Sequence, residues 1–440
     1  MPPFAQNAAL AGAGGMPAPQ YAENKPFACM VPWVFKIFLN LLPIRSILFK
    51  EGTRYSGCPE STMTNTVAVE LGSRVRAARE RMRLSQQKLA DEIGWKSAQI
   101  VSTVESGERE LKAWELARIA RVLHTPFESL LNTTASPEPI VLWRAKPLSE
   151  EVAAGVEARF LQRCTRYSQL EEWCGVRAPK ELKPLSMTSL YLPVYSVESE
   201  AENVRDAMKL GGRPACTLEK TLEEDYGVKI FHEDLGPDGS ALCAQGEKCG
   251  PAICLNSSEA PWRQNYSLAH ELFHLMTPGE MAISGEKCER LANAFASALL
   301  LPQESLTNAI RARLSEKSKI TFEKLVEIAS EFGVSIDALC WRLVNLGMIT
   351  KEVARTQLQQ GSKLRQVDQY GRREQVRTTA GPGLPDRYTR LAYLAYAKGK
   401  IGRSKLAEYL EISAYDLAVY INSHTEAIAG AETEIAVAGC

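Results

Sequence analysis

The pentapeptide His-Glu-Leu-Phe-His at residues 270–274 constrains the fold of this chain more than any other feature of the sequence. Two histidines four residues apart lie one above the other on one face of an α-helix, so both imidazoles can bind a single zinc ion. Glu271 lies about 100° further around the helix axis, where its carboxylate can accept a proton from an activated water molecule. The pentapeptide therefore predicts a helix over residues 264–276, with His270 and His274 as metal ligands and Glu271 as a catalytic base.

The predicted zinc site needs one more ligand from elsewhere in the chain, because catalytic zinc usually has three protein ligands and one open position. His232 and His424 are available. A predicted helix over residues 286–300 offers two acids, Glu289 and Glu286, about one turn apart on the same face. The residue pattern alone leaves these candidates open.

A second informative region lies between residues 71 and 131, where apolar residues recur at helical spacing and are interrupted by short turns. Gly94 separates two short helices, and the second of these is predicted to run from Ser97 to Val104. It presents Gln99 and Ser102, whose short polar side chains can reach base edges in a major groove. The DNA contacts predicted from this helix-turn-helix pattern are Gln86, Lys96, Ser97, Gln99, Ser102, Arg109 and Lys112.

Three short runs of alternating polarity between residues 228 and 256 predict a small antiparallel β-sheet. Most of the remaining sequence has helical spacing, so the predicted fold class is mainly α with a small antiparallel sheet, that is, α+β. The predicted segments are an N-terminal extension that is disordered or non-native (1–62), a DNA-binding domain (63–135), a linker and connecting helix (136–200), a metal-binding domain (201–358), and a linker with a C-terminal helical unit (359–440).

Composition excludes some classes of protein. Lysine plus arginine and aspartate plus glutamate both number 52, so the net charge does not mark the whole chain as a nucleic-acid-binding or membrane-binding protein. The eleven cysteines form no Cys-x-x-Cys pair and are odd in number, which favours a reducing cytoplasm over a disulfide framework. The most apolar segment, residues 31–49, contains prolines and charges and makes a poor transmembrane helix. We expect a cytoplasmic protein with no membrane partner.

The segment over residues 71–131 resembles the lambda-repressor-like XRE family of helix-turn-helix domains. The stretch Glu-Ser-Gly-Glu-Arg-Glu-Leu-Lys-Ala-Trp-Glu-Leu-Ala at residues 105–117 is a specific part of the match. One extra residue between Gly94 and Gly107 departs from the family pattern, so base contacts cannot be transferred residue by residue. The alternative is a helical bundle that serves protein contact alone.

The metal motif resembles the ImmA/IrrE family of metallopeptidases, over about residues 140–350. The family pattern of His-Glu-x-x-His followed by Glu-x-x-Ala-Asn-x-Phe-Ala-x-x-Leu-Leu-x-Pro is matched at 270–274 and 289–302. The resemblance implies a zincin-like domain with Glu289 as the third zinc ligand and Glu271 as the general base. Two positions depart from the pattern: Phe273 replaces a common glycine and is expected to narrow the cleft, and Leu291 replaces a common acid.

Together the two resemblances imply a DNA-binding transcriptional regulator that carries a zinc metalloendopeptidase-like domain and cleaves a repressor-type regulatory protein. The alternative is an XRE-family transcription factor or antitoxin whose metal domain senses a ligand or partner without proteolysis. The expected partners are double-stranded operator DNA, a repressor-like substrate or a toxin, and a second copy of the chain, because such domains usually bind two half-sites as dimers.

Overall fold

A computed structural model describes residues 61–131, 139–144, 149–186, 193–277, 285–313, 321–359 and 383–417. All of these except Ser61 lie in one compact unit over residues 62–440. The predicted N-terminal extension, residues 1–62, lies outside the described residues except at its last two positions. In the part of the chain that is described, no helix is both long and apolar enough to cross a membrane.

The first five helices form a bundle with its own core. Their bounds are α1 Ser61–Arg81, α2 Gln86–Glu92, α3 Ala98–Glu105, α4 Ala113–Val122 and α5 Phe127–Leu131. Helix α2 begins after Ser85, whose hydroxyl accepts a hydrogen bond from the Lys88 N–H at 3.1 Å. Gly94 has a φ of +71° and turns the chain from α2 towards α3. Leu89 and Ile93 are buried between the helices. The predicted helix-turn-helix is therefore confirmed.

The sheet has four strands, β1 Ile140–Trp143, β2 Lys229–Glu233, β3 Ala241–Gln245 and β4 Ala252–Asn256. Their order is β1-β3-β4-β2. The predicted hairpin of β3 and β4 is antiparallel, and β1 is antiparallel to β3, but β2 is parallel to β4. The sheet is therefore mixed, and the expectation that it is entirely antiparallel is wrong. The reason is that β2 pairs with β4 and not with β3, the strand that follows it in the chain.

Among the described residues, eleven further helices follow the bundle, and helices from this group cover both faces of the sheet. They are α6 Glu150–Cys174, α7 Val194–Ala207, α8 Leu218–Glu224, α9 Pro261–Met276, α10 Gly285–Leu300, α11 Gln303–Arg313, α12 Phe322–Glu331, α13 Ile336–Asn345, α14 at residues 351–359, α15 Asp386–Ala397 and α16 Arg403–Tyr409. The described secondary structure is mainly helical with a small sheet, which confirms the predicted class. The domain boundaries remain predictions.

Strand β4 shows how the two faces are filled. Ile253 and Leu255 point into a core formed mainly with α9 and α10. Ala252 and Cys254 point into a second core formed mainly with α6, α15 and α16. Successive side chains of a strand face opposite sides, so a strand covered on both faces is apolar throughout. The metal motif on α9 therefore lies on one side of the sheet and the C-terminal helices on the other.

Candidate metal centre and DNA-binding surface

Helix α9 places His270 and His274 side by side inside the protein. The two Nε2 atoms are 3.2 Å apart, and both side chains are buried. Residues four apart share a helix face, which is why the spacing in the sequence becomes proximity in the structure. Burial of the whole second half of α9 holds both rings in place.

Glu289 on α10 completes the cluster. One carboxylate oxygen lies 3.2 Å from His270 Nε2 and the other lies 3.3 Å from His274 Nε2. The candidate ligand atoms of these three residues all lie within 4.8 Å of one another. Of the other candidates for the third ligand, His232 instead contacts Glu219 and Gln264, and His424 lies outside the described residues. Glu286, on the first turn of α10, is exposed.

The Nδ1 atoms of the two histidines, which face away from the cluster, also have partners. His270 Nδ1 lies 3.2 Å from the Asn293 side-chain oxygen, and His274 Nδ1 lies 3.8 Å from the Cys288 sulfur. The Asn293 oxygen can only accept, so it keeps the proton on His270 Nδ1 and leaves Nε2 free to bind a metal, whereas the Cys288 thiol can donate or accept according to the His274 tautomer. Neither Asn293 nor Cys288 was predicted to take part in the site. Asn293 lies one turn after Glu289 on α10, and that spacing is the signal that would have identified it.

Glu271 occupies a different position from the three clustered residues. Its side chain is fully buried, and the Cys243 thiol is placed to hydrogen-bond its carboxyl. Burial raises the pKa of Glu271, and the nearby His270 and His274 partly oppose that rise. The thiol of Cys243 on β3 lies beside it, and its pKa is raised well above the usual range by burial and by the Glu271 charge. A buried carboxyl is costly to ionise, and groups with shifted pKa values concentrate at functional sites.

The ionisation of the cluster follows from its contacts. Burial by itself lowers the pKa of His274, but interactions with Cys288 and Glu289 and the charge of Glu271 overcome it and raise the pKa to about 10. Burial by itself raises the pKa of Glu289, but contacts with His270 and His274 overcome it and lower the pKa to about 2. Without a metal ion, these two residues therefore form an ion pair at neutral pH.

Phe273 does not narrow a cleft, contrary to the expectation. It is fully buried, with its ring 5.6 Å from that of Phe295 and 5.7 Å from that of His274. The next departure from the family pattern, Leu291, is buried in the same core. Both side chains point towards the packed interior, so they help to fix the positions of α9 and α10.

The residues predicted to contact DNA occupy two kinds of environment. Lys96, Gln99 and Lys112 are exposed, and Ser97 and Ser102 are half-buried at α3. The other two are held by carboxylates inside the bundle. Gln86 donates to Glu105 at 2.8 Å, and Arg109 donates to Glu115 at 2.6 Å while lying over the Trp95 ring. DNA contact by any of the seven remains a prediction.

Two family models match the chain. One, described as an IrrE N-terminal-like domain of the peptidase M78 family, matches residues 223–344, and the other, described as a helix-turn-helix domain, matches residues 70–132. The first region contains all four residues of the candidate site. The chain therefore carries a helix-turn-helix domain followed by an IrrE-like domain, as predicted.

Other comparisons are less informative. No curated protein matches the chain. A solved structure described as a Mycobacterium tuberculosis transcriptional regulator has 15% sequence identity and a TM-score of 0.26, over 41% of this chain and 51% of that chain. The match spans about half the length of that protein, and it is too distant to inform function.

Proposed function

We propose that this chain is a DNA-binding transcriptional regulator whose IrrE-like domain is a zinc-dependent metalloendopeptidase acting on a repressor-type regulatory protein. The observation that carries the proposal is the convergence of His270, His274 and Glu289 next to the fully buried carboxyl of Glu271. A binding site for zinc alone would not require the fourth residue.

The residues present fit a catalytic zinc ion. Two imidazole nitrogens and one carboxylate oxygen are ligands that zinc accepts, and three protein ligands leave a position open. His270 and His274 would bind through Nε2 and Glu289 through its carboxylate. When bound, zinc supplies a Lewis acid that polarises a peptide carbonyl and acidifies water.

The protein's own residues do the remaining work. Glu271 is positioned to accept the proton of the attacking water and to pass it to the departing amine. Burial raises the pKa of Glu271, which is the direction that makes its carboxylate a stronger base. Asn293 orients the His270 ring, and the packed Phe273 holds the other side of α9.

The helix-turn-helix domain supplies the DNA-binding part of the proposal. Helix α3 would enter the major groove of operator DNA with Gln99 and Ser102 towards the bases, and two chains would bind two half-sites. A toxin partner would be an alternative ligand of the metal domain. All eight cysteines assessed among the described residues are free thiols, which supports placement in the cytoplasm.

A regulator that senses a ligand or partner without proteolysis is the second candidate. It is favoured by the burial of the site, since the His270 side chain is 0% exposed and only Glu289, at 41%, is open to solvent among the three clustered residues. In this case Glu271 would not be needed for regulation.

Glu271→Gln separates the two candidates, because the substitution removes the base but none of the proposed ligands. We expect it to retain zinc and to abolish peptide cleavage and promoter switching, with a loss of about 100-fold or more in rate. His270→Ala or Glu289→Ala should lose zinc, whereas the exposed Glu286→Gln serves as the matched control that keeps both zinc and cleavage. A Glu271→Gln protein that switches its promoter normally contradicts the peptidase proposal and leaves the sensor.

A further inference from the structure

Strand β1 extends the sheet of the IrrE-like domain from outside the matched region. It covers residues 140–143, whereas the family match begins at residue 223. Leu142 is paired with Cys243 of β3, and the Cys243 thiol lies beside Glu271. The segment that connects the two domains therefore runs along the candidate catalytic site.

Arg144 follows directly after β1 and reaches that site. Its backbone N–H donates to the Ala241 carbonyl at 3.0 Å, so it continues the ladder with β3. Side chains two residues apart share a face of a strand, so Arg144 lies on the same side as Leu142, towards α9. There its guanidinium donates to the Ser267 hydroxyl at 2.5 Å and lies over the Tyr266 ring at 5.3 Å.

The charge of this guanidinium acts on the buried carboxyl of Glu271, where it opposes the rise in pKa that burial causes. Among the described residues, Arg144 contacts a hydroxyl and an aromatic ring but forms no ion pair. Other half-buried arginines of the chain do form ion pairs, as Arg159 does with Glu233 and Arg213 with Glu331. A guanidinium is planar and matches a carboxylate through two parallel hydrogen bonds. Arg144 is therefore a fixed cation at the site with capacity to bind an added carboxylate.

The spacing along α9 locates the added carboxylate relative to the metal cluster. Tyr266 lies four residues before His270, which is about 6 Å along the helix axis at 1.5 Å per residue. An extended peptide advances about 3.3 Å per residue, so 6 Å corresponds to about two residues. For an extended peptide that runs along α9, a carboxylate bound by Arg144 would thus belong to a residue about two positions from a bond held at the metal cluster.

We infer that Arg144 forms a carboxylate-binding subsite that selects peptides with an acidic group about two residues from the cleaved bond. The inference rests on the proposed peptidase function. The carboxylate belongs either to an aspartate or glutamate side chain or to the free C-terminus of the peptide, and both sources present the same chemistry to Arg144.

The first test is digestion of a synthetic peptide library by the zinc-loaded full chain, with half of the library amidated at the C-terminus. We expect aspartate or glutamate to be enriched two residues from the cleaved bonds; enrichment only beside free C-termini would assign the subsite to the terminal carboxylate. Replacing the acid by its amide in the best peptide should raise KM roughly 10- to 100-fold, with a smaller effect on kcat.

The second test uses variants of Arg144. Arg144→Gln should cleave the acidic peptide and its amide with similar KM, and Arg144→Glu should prefer a lysine at that position. Arg263→Gln is the matched control, since Arg263 is an exposed arginine on the same helix that pairs with Glu259. If Arg144 only fastens β1 to α9, its substitution would affect both peptides equally, and that result overturns the inference.

A binding measurement distinguishes failure of the inference from failure of the proposed function. Fluorescent peptide pools with aspartate, asparagine or lysine at one fixed position are titrated into the Glu271→Gln protein. If the wild type cleaves nothing but this variant binds aspartate pools through Arg144, the subsite stands and the peptidase proposal falls. Cleavage without an acidic preference overturns the subsite alone, and neither cleavage nor acid-dependent binding overturns both.

Discussion

The hydrogen bond between His270 and Asn293 gives a test of the metal centre that does not alter a ligand. Removal of the residue that hydrogen-bonds the other ring nitrogen of a metal-binding histidine typically weakens metal affinity by about 10- to 100-fold. Asn293 is exposed, so in Asn293→Ala a water molecule can take the place of the lost acceptor. We therefore expect the zinc affinity of Asn293→Ala to fall by about 10-fold, near the lower limit of this range. Asn293→Leu should lose more, about 100-fold, because its side chain excludes that water and leaves the His270 N–H unpaired.

Zinc affinity is measured by competition with a chromophoric chelator, and circular dichroism checks that each variant is folded. Asn308→Ala, at an exposed position on α11, is the matched control and should bind zinc like the wild type. Asn293→Asp should retain affinity, since a carboxylate accepts the same hydrogen bond. If Asn293→Leu binds zinc within twofold of the wild type, His270 does not depend on Asn293 for its orientation, and the assigned role is wrong.

Two further predictions concern other parts of the chain. Burial and the neighbouring acidic side chains raise the pKa of Glu223 to about 8, so stability is highest below its ordinary pKa of 4.5 and is lost as pH rises through about 8. Glu223→Gln cannot ionise, so its free energy of unfolding, measured with urea, should fall less between pH 5 and pH 9 than that of the wild type. An equal fall in the wild type and the variant would refute the raised pKa of Glu223. In DNA selection from a randomised library, Gln99→Ala should relax one base preference by about 1 to 3 kcal/mol, whereas Arg109→Ala should weaken binding to all sequences alike. An unchanged sequence profile for Gln99→Ala would mean that α3 does not read bases through this residue.

The parts of the structure that follow a short-range rule were predictable from the sequence. His270 and His274 are brought together by the geometry of one helix, so their spacing alone predicted the contact. Gly94 marks the turn between α2 and α3 because its positive φ favours glycine. The contact of Glu289 with both histidines needed the family pattern, because it joins two helices whose mutual orientation is not encoded by any local spacing.

The parts that depend on long-range packing were not predictable in the same way. The four residues of β1 lie in a segment predicted as linker, and they form a strand because β3 offers an edge about 100 residues later in the chain. The parallel pairing of β2 likewise follows from where the chain places it, beyond β4. The position of Phe273 was misjudged because its neighbours in the core, including Phe295, come from another helix.

The last prediction concerns Glu105, which joins three helices of the DNA-binding domain. Its carboxylate accepts hydrogen bonds from Arg79 on α1 at 2.6 and 3.0 Å and from Gln86 on α2 at 2.8 Å. The side chains of Glu105 and Arg79 are 3% and 10% exposed, so this is a buried ion pair. Removal of one partner of such a pair costs about 3 to 5 kcal/mol. We expect the lower limit here, because Arg79 keeps its hydrogen bond to the Leu84 carbonyl at 2.7 Å and its contact with Glu80 at 3.6 Å.

A domain is stable by about 5 to 15 kcal/mol, so Glu105→Ala should remove a large part of the stability of the helix-turn-helix domain. Library-selected DNA should be released at a lower urea concentration than in the wild type, while zinc content stays the same because the metal ligands lie in the other domain. Glu105→Gln, which keeps hydrogen-bonding capacity, should lose less, and the exposed Glu108→Ala should behave like the wild type. If Glu105→Ala releases DNA at the wild-type urea concentration, the pair adds no net stability. Gln86 would then be free to turn towards DNA, as the sequence predicted, without cost to the domain.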